Sequence, residues 1–291
     1  MSQTLPSESV SRAAAAIRYD SVLVHVEPGL ASSRRVEIAA GLARRFGGRV
    51  IGLGAEALEP PTAVDPYSGQ LVAELVVQMT RQIEADLKNA EQAFARDAAG
   101  TESEWRMAQA TPNRALAAEA RAADLIVVGA QAERSSNVYR SADAAEVVMT
   151  AGRPVLVAPA GAAHLKAEKV IVAWKDTRES RRAVADALPF LLRADEVIVQ
   201  AVCAEDAVEA CEAQTQDVAE TLRRRGVPAR SSVTTAPEAN VADEILAEAA
   251  ATGADLVVMG AYGHSRMAEW VFGGVTRSLL ADPQVYLLLS H

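Results

Sequence analysis

Hydrophobic residues fall along this chain in two kinds of stretch, and the two kinds alternate. Short unbroken runs rich in Val, Ile and Leu occur at residues 22–26, 50–53, 125–129 and 154–158, and again at 170–174, 197–202, 256–260 and 285–289. Runs too continuous for a half-exposed strand suit strands covered on both faces of a parallel sheet. Between them, apolar residues recur at helical spacing over 32–46, 70–98 and 113–122, then over 178–192, 207–225 and 241–250. Gly226-Val227-Pro228 stops one of these predicted helices. Weaker runs at 104–107 and 231–234 read as third strands. Each half thus predicts β-α-β-α-β-α-β-α-β.

The halves also repeat one another in detail. Ala123-Asp124-Leu125-Ile126-Val127-Val128-Gly129 lies at the position of Ala254-Asp255-Leu256-Val257-Val258-Met259-Gly260. The fold expected is therefore α/β: two tandem doubly wound, five-stranded parallel-sheet domains of Rossmann-like type, with right-handed crossovers. Residues 1–18 read as a flexible lead-in, 19–160 as the first domain and 168–291 as the second, split in a small and polar stretch at 160–166. An apolar last strand is a liability as an open edge. The two last strands are expected to face each other across a pseudo-twofold axis, an intramolecular pseudo-dimer, with homodimerisation of the whole chain left open.

Composition narrows the function classes. With 50% hydrophobic and 23% charged residues, the chain of 291 residues can bury a sizeable core. It carries 29 basic against 38 acidic residues, a net charge of −9, and so lacks the bulk attraction toward nucleic-acid phosphate or an anionic membrane. No stretch has the length or flanks of a signal peptide or a membrane span, so a cytoplasmic location is expected. Cys203 and Cys211 read as inert thiols, and the four dispersed histidines suggest no metal site.

Candidate chemistry sits after the fourth strand of the second half. Gly260-Ala261-Tyr262-Gly263 leaves that strand, and Gly273-Gly274-Val275-Thr276 opens a short apolar helix. A glycine loop leading into a helix start lets backbone amides converge on phosphate. Gly260-x2-Gly263-x9-Gly273, with Val275 and Thr276, resembles the nucleotide loop of the universal stress protein family, and the repeat makes the chain similar to its tandem-domain members. The resemblance implies an adenine-nucleotide alpha hydrolase-like domain holding ATP, with magnesium, or AMP. It implies contacts from Gly260, Gly263, Gly273, Gly274, Val275 and Thr276 to phosphate and ribose, and from Val202 to adenine. Ala173, Trp174, Asp176 and Met259, at the neighbouring strand ends, complete the implied set.

Two positions depart from that pattern. Gly274 stands where nucleotide-binding members carry Ser or Thr, a lost hydrogen bond that predicts binding weaker by about tenfold. Lys175 stands where an Asp is common, so either Asp176 substitutes for it or Lys175 turns toward phosphate. Trp174 is either a base-stacking ring or core, and His264 and Arg266 either touch phosphate or are solvated. The first half departs further: Ala132 replaces the second glycine, and Asp143 and Glu146 stand where phosphate would sit. It is expected not to bind nucleotide. Arg134 and Arg140 there are read as solvated, or as serving another ligand, and Arg181-Arg182 and Arg223-Arg224-Arg225 as exposed faces. No catalytic triad, paired-carboxylate motif or Gly-Lys-Ser sequence is present, so the chain is read as nonenzymatic, with at most slow incidental ATP hydrolysis. Two functions remain: nucleotide-dependent signalling to a partner protein, or a scaffold and dimerisation module that has lost its nucleotide.

Overall fold

A computed structural model describes residues 17–60, 69–130, 137–162, 164–262 and 274–291. The first half runs β1 (Ser21–Val26), α1 (Leu30–Phe46), β2 (Arg49–Ala55), α2 (Gly69–Asp97), β3 (Ser103–Ala108), α3 (Pro112–Glu119), β4 (Leu125–Gly129), α4 (Ala144–Ala151) and β5 (Val155–Ala158). The second runs β6 (Lys169–Ala173), α5 (Arg178–Leu191), β7 (Glu196–Cys203), α6 (Val208–Arg224), β8 (Ala229–Thr235), α7 (Val241–Thr252), β9 (Leu256–Gly260), α8 (Gly274–Ala281) and β10 (Tyr286–Ser290).

Within each half the strands are parallel, but the two five-stranded units do not remain separate sheets. They fuse into one ten-stranded sheet ordered β3-β2-β1-β4-β5-β10-β9-β6-β7-β8. The join is antiparallel, pairing Leu287 with Val157, Leu288 with Leu156 and Leu289 with Val155. Both joining strands are fully buried. Pairing them removes two apolar edges at once.

Alternation along the strands sorts the core into two layers. Val22, Val24, Val170, Val172, Leu256 and Val258 pack with α1, α2, α5 and α6 on one face. Leu23, Ile126, Ile171, Val257 and Leu287 pack with α3, α4, α7 and α8 on the other. Each layer runs through both halves. Beyond the amino ends of the strands, Tyr19, Phe46 and Phe190 stack across the junction with ring centroids 5.1 to 5.4 Å apart.

The repeated Ala-Asp-Leu has a structural job in both halves. Asp124 accepts hydrogen bonds from the amides of Asp20 and Ser21 at 2.9 and 3.1 Å, and Asp255 from those of Lys166 and Ala167 at 2.8 and 2.9 Å. Each aspartate thereby holds the chain where it enters the half's first strand. Ala167 sits there at φ 50°, a conformation unusual for a residue with a Cβ. Among the described residues no helix is long and apolar enough to cross a membrane.

Candidate functional site

In an open parallel sheet, ligands approach the carboxyl ends of the strands. In the second half, Ala173 ends β6, Val202 lies near the end of β7, and Met259 near the end of β9. All three point to the face covered by α7 and α8, where Tyr262 and Val275 join them. Met259 is buried, whereas Ala173, Val202, Tyr262 and Val275 are half-buried. Together they form an apolar ledge at the sheet's end.

Helix α8 begins beside this ledge at Gly274, and its first turn contains no acidic residue. Among the described residues, a Cβ added to Gly274 would meet nothing within 4 Å. Thr276, in the first turn, is buried. Tyr262 adopts φ 60°, and burial, together with Asp143 of the first half, pushes its hydroxyl up to about 12. On the opposite face, α5 starts hard against the end of β9. A Cβ on Gly260 would lie 2.5 Å from the Ser180 amide nitrogen and 2.6 Å from the Glu179 carbonyl carbon. Glycine is required there by close approach of two backbones.

Strand pairing aligns the halves residue by residue. Val22 pairs with Val50 and Leu125 as Val170 pairs with Val197 and Leu256. Counting from these pairs sets His25 opposite Ala173, Glu27 opposite Lys175, Glu56 opposite Cys203 and Gly129 opposite Gly260. The equivalent region of the first half is filled by the protein's own charges. Arg35, 3% exposed, reaches Glu27 at 2.7 Å, and the same carboxylate accepts from the Ser141 hydroxyl at 2.8 Å. A Cβ on Gly129 would meet the Arg35 guanidinium at 2.7 Å.

His25, 2% exposed, completes this group. With Glu27, Arg35, Gly129 and Ser141 it lines a small cleft of about 10 Å³, room for no more than about one water. Burial pulls His25 down to about 4 against the smaller upward pull of Glu27. The ring is therefore neutral at pH 7, and among the described residues its Nε2 has no hydrogen-bond partner. Next to the cleft, Arg140 bonds Glu56 at 2.6 Å and also pairs with Asp86 on α2. The Ala57 amide donates to the Tyr139 carbonyl at 2.9 Å. Residues 137–141 are thus fastened over the ends of β1 and β2. The Arg140 side chain is 41% exposed, as expected of a solvated loop arginine, but two carboxylates from other elements also hold it.

Asp143 and Glu146 are likewise engaged. Asp143 caps α4, accepting from the amides of Ala145 and Glu146 at 2.9 and 3.3 Å. Asn113 bridges the pair, accepting from the Asp143 amide at 2.7 Å and donating to Glu146 at 2.5 Å. A helix start attracts anions, and here the attraction is satisfied from within.

Residues 166–289 match the model of the universal stress protein family. The chain carries a universal stress protein domain. No curated protein gives a significant match. Among solved structures, a universal stress protein from Archaeoglobus fulgidus DSM 4304 superposes with a TM-score of 0.66 at 15% identity, over 93% of this chain and 95% of that one. A functionally unknown protein of Pseudomonas aeruginosa PAO1 does so with a TM-score of 0.54 at 16% identity, over 96% and 94% of the two chains. At these identities the likeness shows the fold, and it spans both halves.

The universal stress protein domain brings some of the implied site residues together and separates others. Ala173, Val202, Met259 and Val275 share one face, with Gly274 at the start of α8. Trp174 packs into the core of the other face, away from that ledge. Asp176 is exposed and ion-paired with Arg181, while Lys175 is exposed beside it. Gly263, His264, Arg266 and Gly273 lie outside the described residues, as do Ala132 and Arg134. Sequence reasoning missed Glu27, Arg35, His25 and the Glu56–Arg140 pair. Aligning the ends of the two first strands, where Glu27 meets Lys175 and His25 meets Ala173, was the signal that could have found them.

Proposed function

We propose that the second half of this chain binds one adenine nucleotide, ATP or AMP, and that the first half binds none. The observation that carries this reading is the contrast between two equivalent helix starts. Helix α4 is capped by Asp143, whereas the first turn of α8 has no carboxylate and, among the described residues, nothing lies within 4 Å of a Cβ placed on Gly274. Backbone amides at a helix start suit phosphate, and the half-buried ledge of Ala173, Val202 and Val275 suits a purine ring. The charge reverses in the same sense, from Glu27 to Lys175. Asp176 is engaged by Arg181, so a magnesium ion arriving with ATP would keep its phosphate and water ligands.

The role is binding, and its output is conformational. Nucleotide on the α8 side would alter the surface offered to a partner protein. Calorimetric titration of the full chain with ATP and with AMP tests the reading, supported by mass spectrometry of unwashed protein. One site per chain is expected. Absence of heat and of co-purified nucleotide would overturn it in favour of the scaffold reading, which the missing hydroxyl at Gly274 favours.

A further inference from the structure

The ten-stranded sheet ends at β3 on one side and β8 on the other. Among the described residues no strand lies beyond β3, and its backbone bonds fix which groups face outward. The Val50 amide donates to the Glu102 carbonyl at 2.9 Å, and the Glu56 amide to the Ala108 carbonyl at 3.2 Å. Between these bonds β3 runs in unbroken parallel register on β2, so Glu104 and Arg106 also turn their backbone groups toward β2. The amides and carbonyls of Ser103, Trp105 and Met107 therefore point away from the sheet, ready to pair with another strand.

We propose that two copies of this chain associate through β3, antiparallel about a twofold axis at Trp105, so that the sheet continues from one molecule into the next. In that register Trp105 faces Trp105 of the copy, Ser103 faces Met107, and Glu104 faces Arg106 on both sides of the axis. The outward groups of Ser103, Trp105 and Met107 then form the hydrogen-bonded pairs, and Glu104 and Arg106 meet in the non-hydrogen-bonded pairs, where side chains approach closest. Sliding the register by the two residues that keep the outward groups paired would set Glu104 against Glu104 or Arg106 against Arg106, so charge selects one alignment.

Both charges are ordered in the single chain. Glu104 lies 2.7 Å from Arg106 and 2.8 Å from Arg49, and Arg106 lies 2.5 Å from Glu119. Met107, 71% exposed, would rest against Ser103 of the copy and, on the diagonal, its Trp105. Helix α2 lies over β2, with Phe94 against Gly52 and Leu87 against Gly54. The two copies of α2 would thus stand about 14 Å apart, three strand spacings, and do not collide. The other edge is unlike this one: β8 carries Arg230 as its single charge, and no register of it on itself pairs opposite charges. The chain already joins β5 to β10 antiparallel and edge to edge. Nothing in the β3 contact involves the ledge of the second half. One strand pair with its flanking side chains is a small interface, so the dimer depends on concentration.

Sedimentation of the full-length chain up to millimolar concentration tests the proposal, and a shift toward twice the chain mass is expected. In Met107→Pro the lost amide is one that β2 does not use, and proline is tolerated at such an edge position. That variant should keep its circular dichroism and remain monomeric. As a second test, Ser103→Cys and Met107→Cys are combined under mild oxidation. Within one chain these positions are about 13 Å apart and cannot bridge, whereas across the axis they are about 5.5 Å apart and can. A dimer on a non-reducing gel, with peptides linking position 103 of one chain to position 107 of the other, is expected. A chain that stays monomeric throughout, a dimer that Met107→Pro leaves intact, or linkage of 103 to 103 or 107 to 107 would overturn the proposal.

Discussion

His25 replaces the Ala173 of the second half with a buried base, and stability should follow its protonation. The folded chain holds the ring near 4, whereas an unfolded histidine titrates near 6.5. As pH falls through 6.5 the unfolded chain takes up a proton that the folded chain refuses. The stabilisation from the neutral ring is therefore complete above 6.5 and is lost progressively toward 4. At about 1.4 kcal/mol per pH unit the full gap amounts to roughly 3 kcal/mol, of which about 2 kcal/mol falls between pH 7 and pH 4.5. His25→Leu removes this dependence but loses the ring's hydrogen bond to the Ala55 backbone, a cost of about 1 kcal/mol. The variant should be the less stable protein at pH 7 and the more stable one at pH 4.5. Urea unfolding followed by circular dichroism at both pH values measures the crossing, because carboxylate contributions are common to both proteins. An unchanged stability difference at the two pH values, or a His25 ring resonance titrating near 6.5, would refute the argument.

Three further outcomes are expected. Gly274→Ser adds a side chain where no described atom lies within 4 Å of the Cβ and should tighten ATP about tenfold by one added hydrogen bond to a phosphate oxygen; unchanged affinity in a titration would place the phosphates elsewhere. Gly260→Ala drives a Cβ into the backbone of α5 and should cost about 1–3 kcal/mol, while Gly129→Ala meets a movable guanidinium and should cost less; thermal melting that ranks them the other way would contradict the packing. Asp255→Ala strips two backbone amides of their acceptor and should destabilise the chain by about 2 kcal/mol, with faster hydrogen exchange at Lys166 and Ala167 as the local sign.

Fold and site were legible to different depths because they rest on different physics. Runs such as 22–26 and 256–260 had to be strands because their side chains are apolar on both faces, and the repeat doubled each such inference. The fusion into one sheet was foreshadowed by the apolar last strands. The ionic closure of the first half was not. Glu27 and Arg35 read as ordinary charged residues, and so did the pair Glu56 and Arg140, 84 positions apart. Nothing in local pattern reports a partner that arrives through topology. Asp124 and Asp255 were visible as a motif, yet their role emerged only when the amides of the entering chain were seen to converge on them. Trp174 shows the converse limit: its place after a strand suggested a ligand, but alternation about β6 turns it into the opposite core.

The antiparallel join of β5 to β10 also bears on how such a protein can change. Two identical domains meeting edge to edge share one gene, and every substitution lands on both sides of the axis together. Here the partners are successive stretches of a single chain, so each side drifts alone. A carboxylate at the start of α4 and a bare glycine at the start of α8 coexist only under that arrangement. The covalent link turns a symmetric assembly into one with a fixed left and right.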